Sequence, residues 1–197
     1  MPFAPLPLPL PSPSRALLRS VLALALLSCT ACDDVPGTAT SRPTPALSSL
    51  CDVEMAPGQG PRFRFPPLTT DPHQSDGRPR WIHLWASWCK PCVEELPRIT
   101  RFEQRLRSQG ASGEVVLISA DAAQARVDAF RKAHPDTPDS YLAASPGTLE
   151  GWMEEMGLRA GAGLPMHVFV GADDHVRCTR AGPVQDAHFD AVARLLR

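Results

Sequence analysis

The 197-residue sequence lacks several features that would assign it to a broad functional class. Its formal net charge is −1 and 21% of its residues are charged, so no basic excess favours nucleic acid or an anionic membrane surface. The apolar stretch 21–27 is much shorter than the roughly 20 residues that span a bilayer. No internal repeat is present. Hydrophobic residues nevertheless make up 43% of the chain, which excludes a wholly disordered protein.

Proline and cysteine are the residues that stand out. The chain has 22 prolines, about twice the usual share, and 14 of them fall in the first 72 residues. Their density in residues 1–14 is incompatible with a helix or a sheet ladder. There are also six cysteines. The composition therefore indicates an unusual amino-terminal third attached to an ordinary globular remainder.

The amino-terminal residues have the pattern of an export signal. Arg15 and Arg19 precede the apolar stretch 21–27, which leads directly to Ser28 and Cys29. The alternative is a buried helix at the start of a domain. Residues 26–29 resemble the lipobox of bacterial lipoproteins, in which the cysteine is acylated and becomes the first residue of the mature chain. We predict a lipoprotein signal peptide over 1–28 with lipidation at Cys29.

Cys32 is a second, poorer candidate for lipidation because no leucine opens its box. The next segment, 29–60, is rich in proline, serine and threonine and is typical of a tether. The periodic patterns begin after it. We therefore predict a folded domain over 61–197.

The patterns of that domain alternate between strands and helices. Asp121 is expected to cap the second helix, and Pro97 to kink the first. The order of the elements predicts an α/β domain with parallel central strands and an antiparallel final hairpin. The strand candidates are residues 62–65, 81–85, 115–118, 141–143, 166–170 and 176–180, and apolar spacing indicates helices around 93–106, 127–130, 149–156 and 189–196.

The most informative segment is the pair Cys89 and Cys92, which follows a strand and opens a helix. A helix amino terminus favours a thiolate at Cys89, and Lys90 adds a positive charge. Cys89 is then the exposed nucleophile and Cys92 the more buried resolving thiol. A structural zinc site needs four ligands, and the other cysteine pair lies in the export signal. A purely structural disulfide is the remaining alternative.

Two separated motifs carry a family resemblance. Residues 87–97, with Trp88 before the cysteines and Glu95 and Pro97 after them, resemble the TlpA/ResA branch of the thioredoxin superfamily, which consists of membrane-anchored thiol–disulfide oxidoreductases. Gly163, Leu164 and Pro165 match a second motif of that branch. The resemblance implies a thioredoxin fold, with a central mixed sheet flanked by helices on both faces and an amino-terminal extension. It also implies a redox-active disulfide as the only redox group, without a bound cofactor or metal.

The same resemblance implies a role for Pro165. It would be cis, lie beside the active disulfide and keep a metal from bridging the cysteines. The backbone of Leu164 would then be exposed to a substrate peptide, and Trp88 would shield the active sulfur and contact the substrate. A trans proline that simply opens a strand is the alternative.

His83 occupies the position, six residues before Cys89, at which thioredoxins place a buried acid. A buried neutral imidazole there would accept the proton of Cys92. A strand histidine that is already hydrogen-bonded, or that points outward, is the alternative. Glu95 is a second candidate through the family match, beside the alternative of a solvated helix glutamate.

Cys51 and Cys178 remain after the other cysteines are assigned. An exported compartment permits disulfides, so we predict a structural Cys51–Cys178 bridge, with two unpaired thiols as the alternative. With acylation at Cys29, Cys32 is left over as a free thiol in the tether, whereas acylation at Cys32 would leave no unpaired thiol.

The sequence therefore predicts a lipid-anchored oxidoreductase facing the periplasm of a bacterial envelope. Its expected partners are a disulfide-bearing protein, an upstream membrane thiol reductant and the membrane itself, but no nucleic acid. Cytochrome c maturation is one pathway that the resemblance suggests. The competing prediction is a copper metallochaperone that uses Cys89, Cys92 and His167.

Overall fold

A computed structural model describes residues 46–72, 76–159 and 161–197. The predicted signal peptide, Cys29 and Cys32 lie outside the described residues. The described chain contains six strands and four α-helices, with short 3-10 turns at Leu47–Ser49 and Asp186–His188. The strands are β1 (Val53–Glu54), β2 (Arg80–Trp85), β3 (Glu114–Ser119), β4 (Ser140–Leu142), β5 (Met166–Val170) and β6 (Val176–Ala181), and the helices are α1 (Lys90–Ser108), α2 (Gln124–Ala133), α3 (Pro146–Glu155) and α4 (Phe189–Leu195).

All six strands form one sheet in the order β1-β6-β5-β2-β3-β4. Strands β2, β3 and β4 are parallel, whereas β5 is antiparallel to β2 and β6 is antiparallel to β5. This arrangement confirms the predicted α/β fold, its parallel centre and its antiparallel final hairpin. The central strand β2 is buried along its whole length because helices cover both faces of the sheet.

Alternate residues of β2 face different helices. Trp81 packs with side chains of α1 and α4, whereas Ile82 and Leu84 pack with those of α3. Since successive strand side chains point to opposite faces, His83 lies on the same face as Trp81, under α1. The strand periodicity therefore places a histidine beneath the helix that carries the cysteine pair.

The folded part begins before residue 61. Leu47 and Leu50 are buried in the core, and β1 pairs with β6. The chain also passes so close to β6 at Gly60 that a Cβ there would lie 2.0 Å from the carbonyl oxygen of Val176. The predicted tether over 29–60 is thus too long at its carboxyl end, because residues 46–60 contribute apolar side chains and a strand to the domain.

The predicted strand at 62–65 is wrong. Arg62 makes a single isolated bridge with His175, and the chain continues into Pro66 and Pro67, which have no N–H groups for a sheet ladder. Within the described residues, no helix is both long and apolar enough to cross a bilayer.

Candidate functional site

Cys89 and Cys92 lie at the start of α1 and are joined by a disulfide. Cys89 is the N-cap residue, and its carbonyl oxygen accepts a hydrogen bond from the Val93 N–H at 3.0 Å. Pro91 fits the first turn because no helical partner exists there for its missing N–H. Cys89 is 5% exposed and Cys92 is fully buried. A partner sulfur therefore has a route to Cys89 and none to Cys92.

Trp88 precedes the disulfide and differs from the other tryptophans near it. Its side chain is 65% exposed, whereas Trp81 and Trp85 are fully buried. The structure therefore leaves most of the ring in solvent, where a docking protein can contact it. The predicted shielding of the sulfur by this ring remains a prediction.

Pro165 follows a cis peptide bond with Leu164. Its carbonyl oxygen accepts the Gly182 N–H at 2.8 Å, which ties it to the turn after β6. Leu164 packs against the apolar cluster that contains Cys89 and Cys92. The loop before β5 thus lies beside the disulfide.

Asp121 holds the loop that leads into α1. One carboxylate oxygen accepts hydrogen bonds from the Ser87 N–H at 2.9 Å and the Ser119 hydroxyl at 2.8 Å, and the other accepts the Ser87 hydroxyl at 2.7 Å. The prediction that Asp121 caps α2 is wrong, because the N-cap residue is Ala123 and no side chain caps the helix. The carboxylate is already committed to the Ser87 loop.

Three buried ionisable groups meet beneath α1. The Oε1 atom of Glu95 lies 3.4 Å from Nδ1 of His83 and 3.2 Å from Nε2 of His167. His83 and His167 are opposite each other in the β2–β5 register, and their rings stack with centroids 4.9 Å apart. Neither histidine is exposed, and Glu95 is 1% exposed. Glu95 is therefore not a solvated helix residue, and His83 does not point outward.

Burial governs the protonation of these groups. It raises the pKa of Glu95 to about 7, against smaller opposing effects of His83, the Val184 N–H and Arg98. It also lowers the pKa of both His83 and His167 to about 3. The common physical cause is that a poorly solvated interior disfavours every charged form.

The predicted grouping of His167 with the two cysteines is not observed. In the described part of the chain, the His, Cys, Asp and Glu side chains close enough to share one metal ion are His83, Glu95 and His167. His167 faces Glu95 because β5 is antiparallel to β2, which places it opposite His83. The site offers no cysteine-and-histidine copper set of the predicted kind.

Cys51 and Cys178 are joined by a second disulfide, remote in sequence from the first. Cys178 is fully buried in β6, and Cys51 lies just before β1. The bridge attaches the amino-terminal segment to the sheet.

No protein-family model matches the chain. It is 29% identical over 138 residues to the thiol:disulfide interchange protein HelX of Rhodobacter capsulatus, covering 67% of this chain and 71% of HelX. It is also 28% identical over 75 residues to the thioredoxin-like protein YneN of Bacillus subtilis, covering 36% of this chain and 44% of YneN. The chain is thus similar to thioredoxin-like thiol–disulfide oxidoreductases.

The solved structures support the same fold for this thioredoxin-like chain. A thiol:disulfide interchange protein from Chlorobium tepidum matches with a TM-score of 0.52 at 21% identity, covering 73% of this chain and 99% of that one. The match to YneN spans less than half of that relative's length. Activity, substrates and partners are accordingly taken up as proposals.

Two features of this thioredoxin-like site escape the sequence analysis. The contact between His167 and Glu95 depends on the register of β2 with β5, and the role of Asp121 depends on the conformation of the Ser87 loop. The one usable signal in the sequence is that two predicted strands each carry a histidine. If those strands pair as antiparallel neighbours, histidines on the same face come into contact.

Proposed function

We propose that the protein is an extracytoplasmic thiol–disulfide oxidoreductase that reduces disulfides of partner proteins. The observation that carries the proposal is the unequal burial of two cysteines at one helix start, 5% exposed for Cys89 and 0% for Cys92. Such a pair separates an attacking sulfur from a resolving sulfur. The described disulfide is then the oxidised product of one turnover.

The reaction transfers two electrons through a mixed disulfide. The Cys89 thiolate attacks one sulfur of the partner disulfide, so a Cys89–partner bond forms and the other partner sulfur leaves as a thiolate that takes up a proton. The Cys92 thiol then loses its proton and attacks Sγ of Cys89. The Cys89–Cys92 bond forms, the mixed disulfide breaks, and the partner departs with two thiols. An external thiol reductant restores the dithiol.

The buried cluster supplies a destination for the Cys92 proton. Glu95 lies three residues after Cys92 on α1, so their side chains share a helix face. His83 lies beneath that face, 3.4 Å from the Glu95 carboxyl. We therefore assign proton uptake in the second step to the Glu95 carboxylate, with His83 as its neighbour, because burial lowers the pKa of His83 to about 3 and raises that of Glu95 to about 7.

The surface around Cys89 suits a peptide partner. The exposed ring of Trp88 offers an apolar contact, and the backbone of Leu164 lies beside the disulfide cluster. A disulfide-bearing segment bound between these two residues presents its sulfur to Cys89.

The proposed location is the outer side of a bacterial cytoplasmic membrane. The export pattern of residues 1–28 and the lipobox-like Cys29 support this location, as does the Cys51–Cys178 bridge, because structural disulfides persist in oxidising compartments. We assign the anchor to Cys29, and the regeneration of the dithiol to a membrane thiol reductant.

A trapping experiment in intact cells tests the function and the location together. The Cys92→Ser variant cannot resolve its mixed disulfide, so a partner is expected to remain bound to Cys89, to cosediment with membranes and to be released by dithiothreitol. The Cys89→Ser variant is the matched control and should trap nothing. A soluble Cys92→Ser,Cys29→Ser complex would support the anchor. If Cys92→Ser traps no partner and the wild type reduces no model disulfide, the proposed function is wrong.

A further inference from the structure

The buried cluster contains a group that fixes the protonation of one histidine. The indole N–H of Trp81 donates a hydrogen bond to Nδ1 of His167 at 3.0 Å, in a fully buried position. An indole nitrogen can only donate. The Nδ1 atom of His167 must therefore carry a lone pair.

The other nitrogen of His167 then carries the proton. In the neutral ring only one nitrogen is protonated, so the proton lies on Nε2, the atom 3.2 Å from Oε1 of Glu95. A second proton on Nδ1 would face the Trp81 N–H, donor against donor. Trp81 thereby keeps His167 neutral and protonated at Nε2, an atom that lies close to the Glu95 carboxyl without forming a complete hydrogen bond to it.

In the described chain, no indole hydrogen bond restricts which nitrogen of His83 carries a proton. Its Nδ1 lies 3.4 Å from the same Oε1 atom, and neither ring nitrogen has a hydrogen-bond partner among the described residues. The two rings are stacked with an interplanar angle of 22°, and two like charges at that separation repel strongly in a buried site. Only one ring can gain a proton, and that ring is His83.

The same hydrogen bond argues against a metal ion among these three residues. A histidine that binds a metal through one nitrogen normally donates a hydrogen bond from the other. In His167 the other nitrogen already accepts one from Trp81. A metal on Nε2 would require a ring that has lost both protons.

Other charged and titratable groups surround the cluster. Besides His83, Glu95 feels Arg98 of α1 and Arg180 of β6, and its second oxygen accepts the Val184 N–H at 2.9 Å. Besides the effect of burial, the pKa of His167 is lowered by Arg180, raised by a hydrogen bond with the Gly182 backbone and affected more weakly by His188 and Asp52. Both arginines favour the ionised form of Glu95, and Arg180 also disfavours a charged His167, which agrees with the effect of Trp81.

We propose that Trp81 and His167 are positioning residues: Trp81 keeps His167 from taking up a proton, and His167 places its Nε2–H beside the Glu95 carboxyl. The use of this proton site in disulfide exchange rests on the proposed function. The protonation pattern itself exists in the oxidised protein, in which the cysteines do not titrate. It can therefore be measured without any exchange activity.

The first test is nitrogen-15 NMR of the histidine rings in oxidised wild-type protein between pH 5 and 9. The expected His167 signals are those of a neutral ring protonated at Nε2 across the whole range. A proton on Nδ1 of His167, or protonation of that ring before His83, would overturn the proposal. No variant is needed, so a folding defect cannot obscure the answer.

The second test compares two amides at position 167. In His167→Gln the side-chain amide extends toward Glu95 and retains a donor at the place of Nε2, whereas in His167→Asn it reaches only the place of Nδ1. Loss of this nearby N–H should raise the pKa of Glu95 by up to about one unit in His167→Asn, since an N–H dipole close to a carboxylate favours its charged form. His167→Gln should stay within a few tenths of wild type.

The readout is the carboxyl carbon signal of Glu95 in the oxidised protein. Equal Glu95 pKa values in wild type and both variants would contradict the proposal. So would stoichiometric binding of Co²⁺ by wild-type protein that is lost in His167→Asn, because the cluster would then be a metal site. If the wild type lacks exchange activity but shows the expected ring signals, the proposed function fails and the positioning role stands.

Discussion

Glu95 is an acid held in a place that disfavours its ionised form. Burial raises its pKa to about 7, from an ordinary value of 4.5. The folded protein thus keeps a proton that the unfolded chain releases between pH 4.5 and 7. The contribution of that proton to the free energy of unfolding is fully present below pH 4.5 and is lost as the pH rises to about 7.

Replacement of Glu95 by Gln should remove this loss. Glutamine cannot ionise, so between pH 4.5 and 8 the wild type should lose on the order of 3 kcal/mol of unfolding free energy relative to Glu95→Gln. Denaturant unfolding at the two pH values measures the change. Glu94→Gln is the control, because Glu94 is 64% exposed and lies next to Glu95 in the chain. A difference that does not vary with pH would show that Glu95 ionises normally.

At the scale of elements, the position of α1 depends on the loop between β2 and that helix. Asp121, two residues after β3, accepts two hydrogen bonds from Ser87 of this loop and a third from Ser119 at the end of β3. The carboxylate is 1% exposed, so water cannot replace it. The two parallel strands thereby hold the loop that precedes the cysteine pair.

Asp121→Ala should destabilise the protein by about 2–4 kcal/mol, because it leaves buried donors without acceptors. Asp128→Ala is the matched control. Among the described residues, Asp128 accepts an exposed hydrogen bond from Gln124, so its loss should cost no more than about 0.5 kcal/mol. Urea unfolding of both variants decides the question. Equal midpoints would mean that Asp121 does not hold the loop.

The elements that the sequence predicts best are those with buried, continuous patterns. β5 has the predicted bounds, and β2 and β3 extend one or two residues beyond theirs. β1 escapes prediction because it consists of two exposed residues with no pattern of their own. Asp121 is mistaken for a helix cap because its type and position suit one, and only the folded Ser87 loop shows where its oxygens bond.

At the scale of the whole molecule, the Cys51–Cys178 disulfide closes a long loop. Its cysteines are 127 residues apart, against three for Cys89 and Cys92. Long loops lose more entropy when they are closed in the unfolded chain. The remote bridge should therefore contribute most of the stabilisation by disulfides.

Cys51→Ala,Cys178→Ala should lower the stability by about 2–5 kcal/mol, which corresponds to a fall in Tm of roughly 5–15 °C for a domain of this size. Cys89→Ala,Cys92→Ala is the control and should produce a clearly smaller fall. Scanning calorimetry measures both. A larger fall in the control would contradict the assignment of the remote bridge as the structural one.

The fold and the cysteine pair were accessible from sequence because each rests on local patterns. The arrangement beneath α1 was not, since His83, Glu95 and His167 come from three elements. Their meeting depends on the strand register and on which face of α1 is buried. The spacing of residues along the sequence determines neither the strand register nor the buried face of α1.

The Cys51–Cys178 bridge also determines an order of events while the protein is being made. Synthesis proceeds from the amino end at about 5–20 residues per second. Cys51 therefore exists for roughly 6 to 25 seconds before Cys178 is added. During that interval the only downstream cysteines available to it are Cys89 and Cys92. Correct pairing thus requires that the reactive pair bond to each other, or stay reduced, until β6 has emerged.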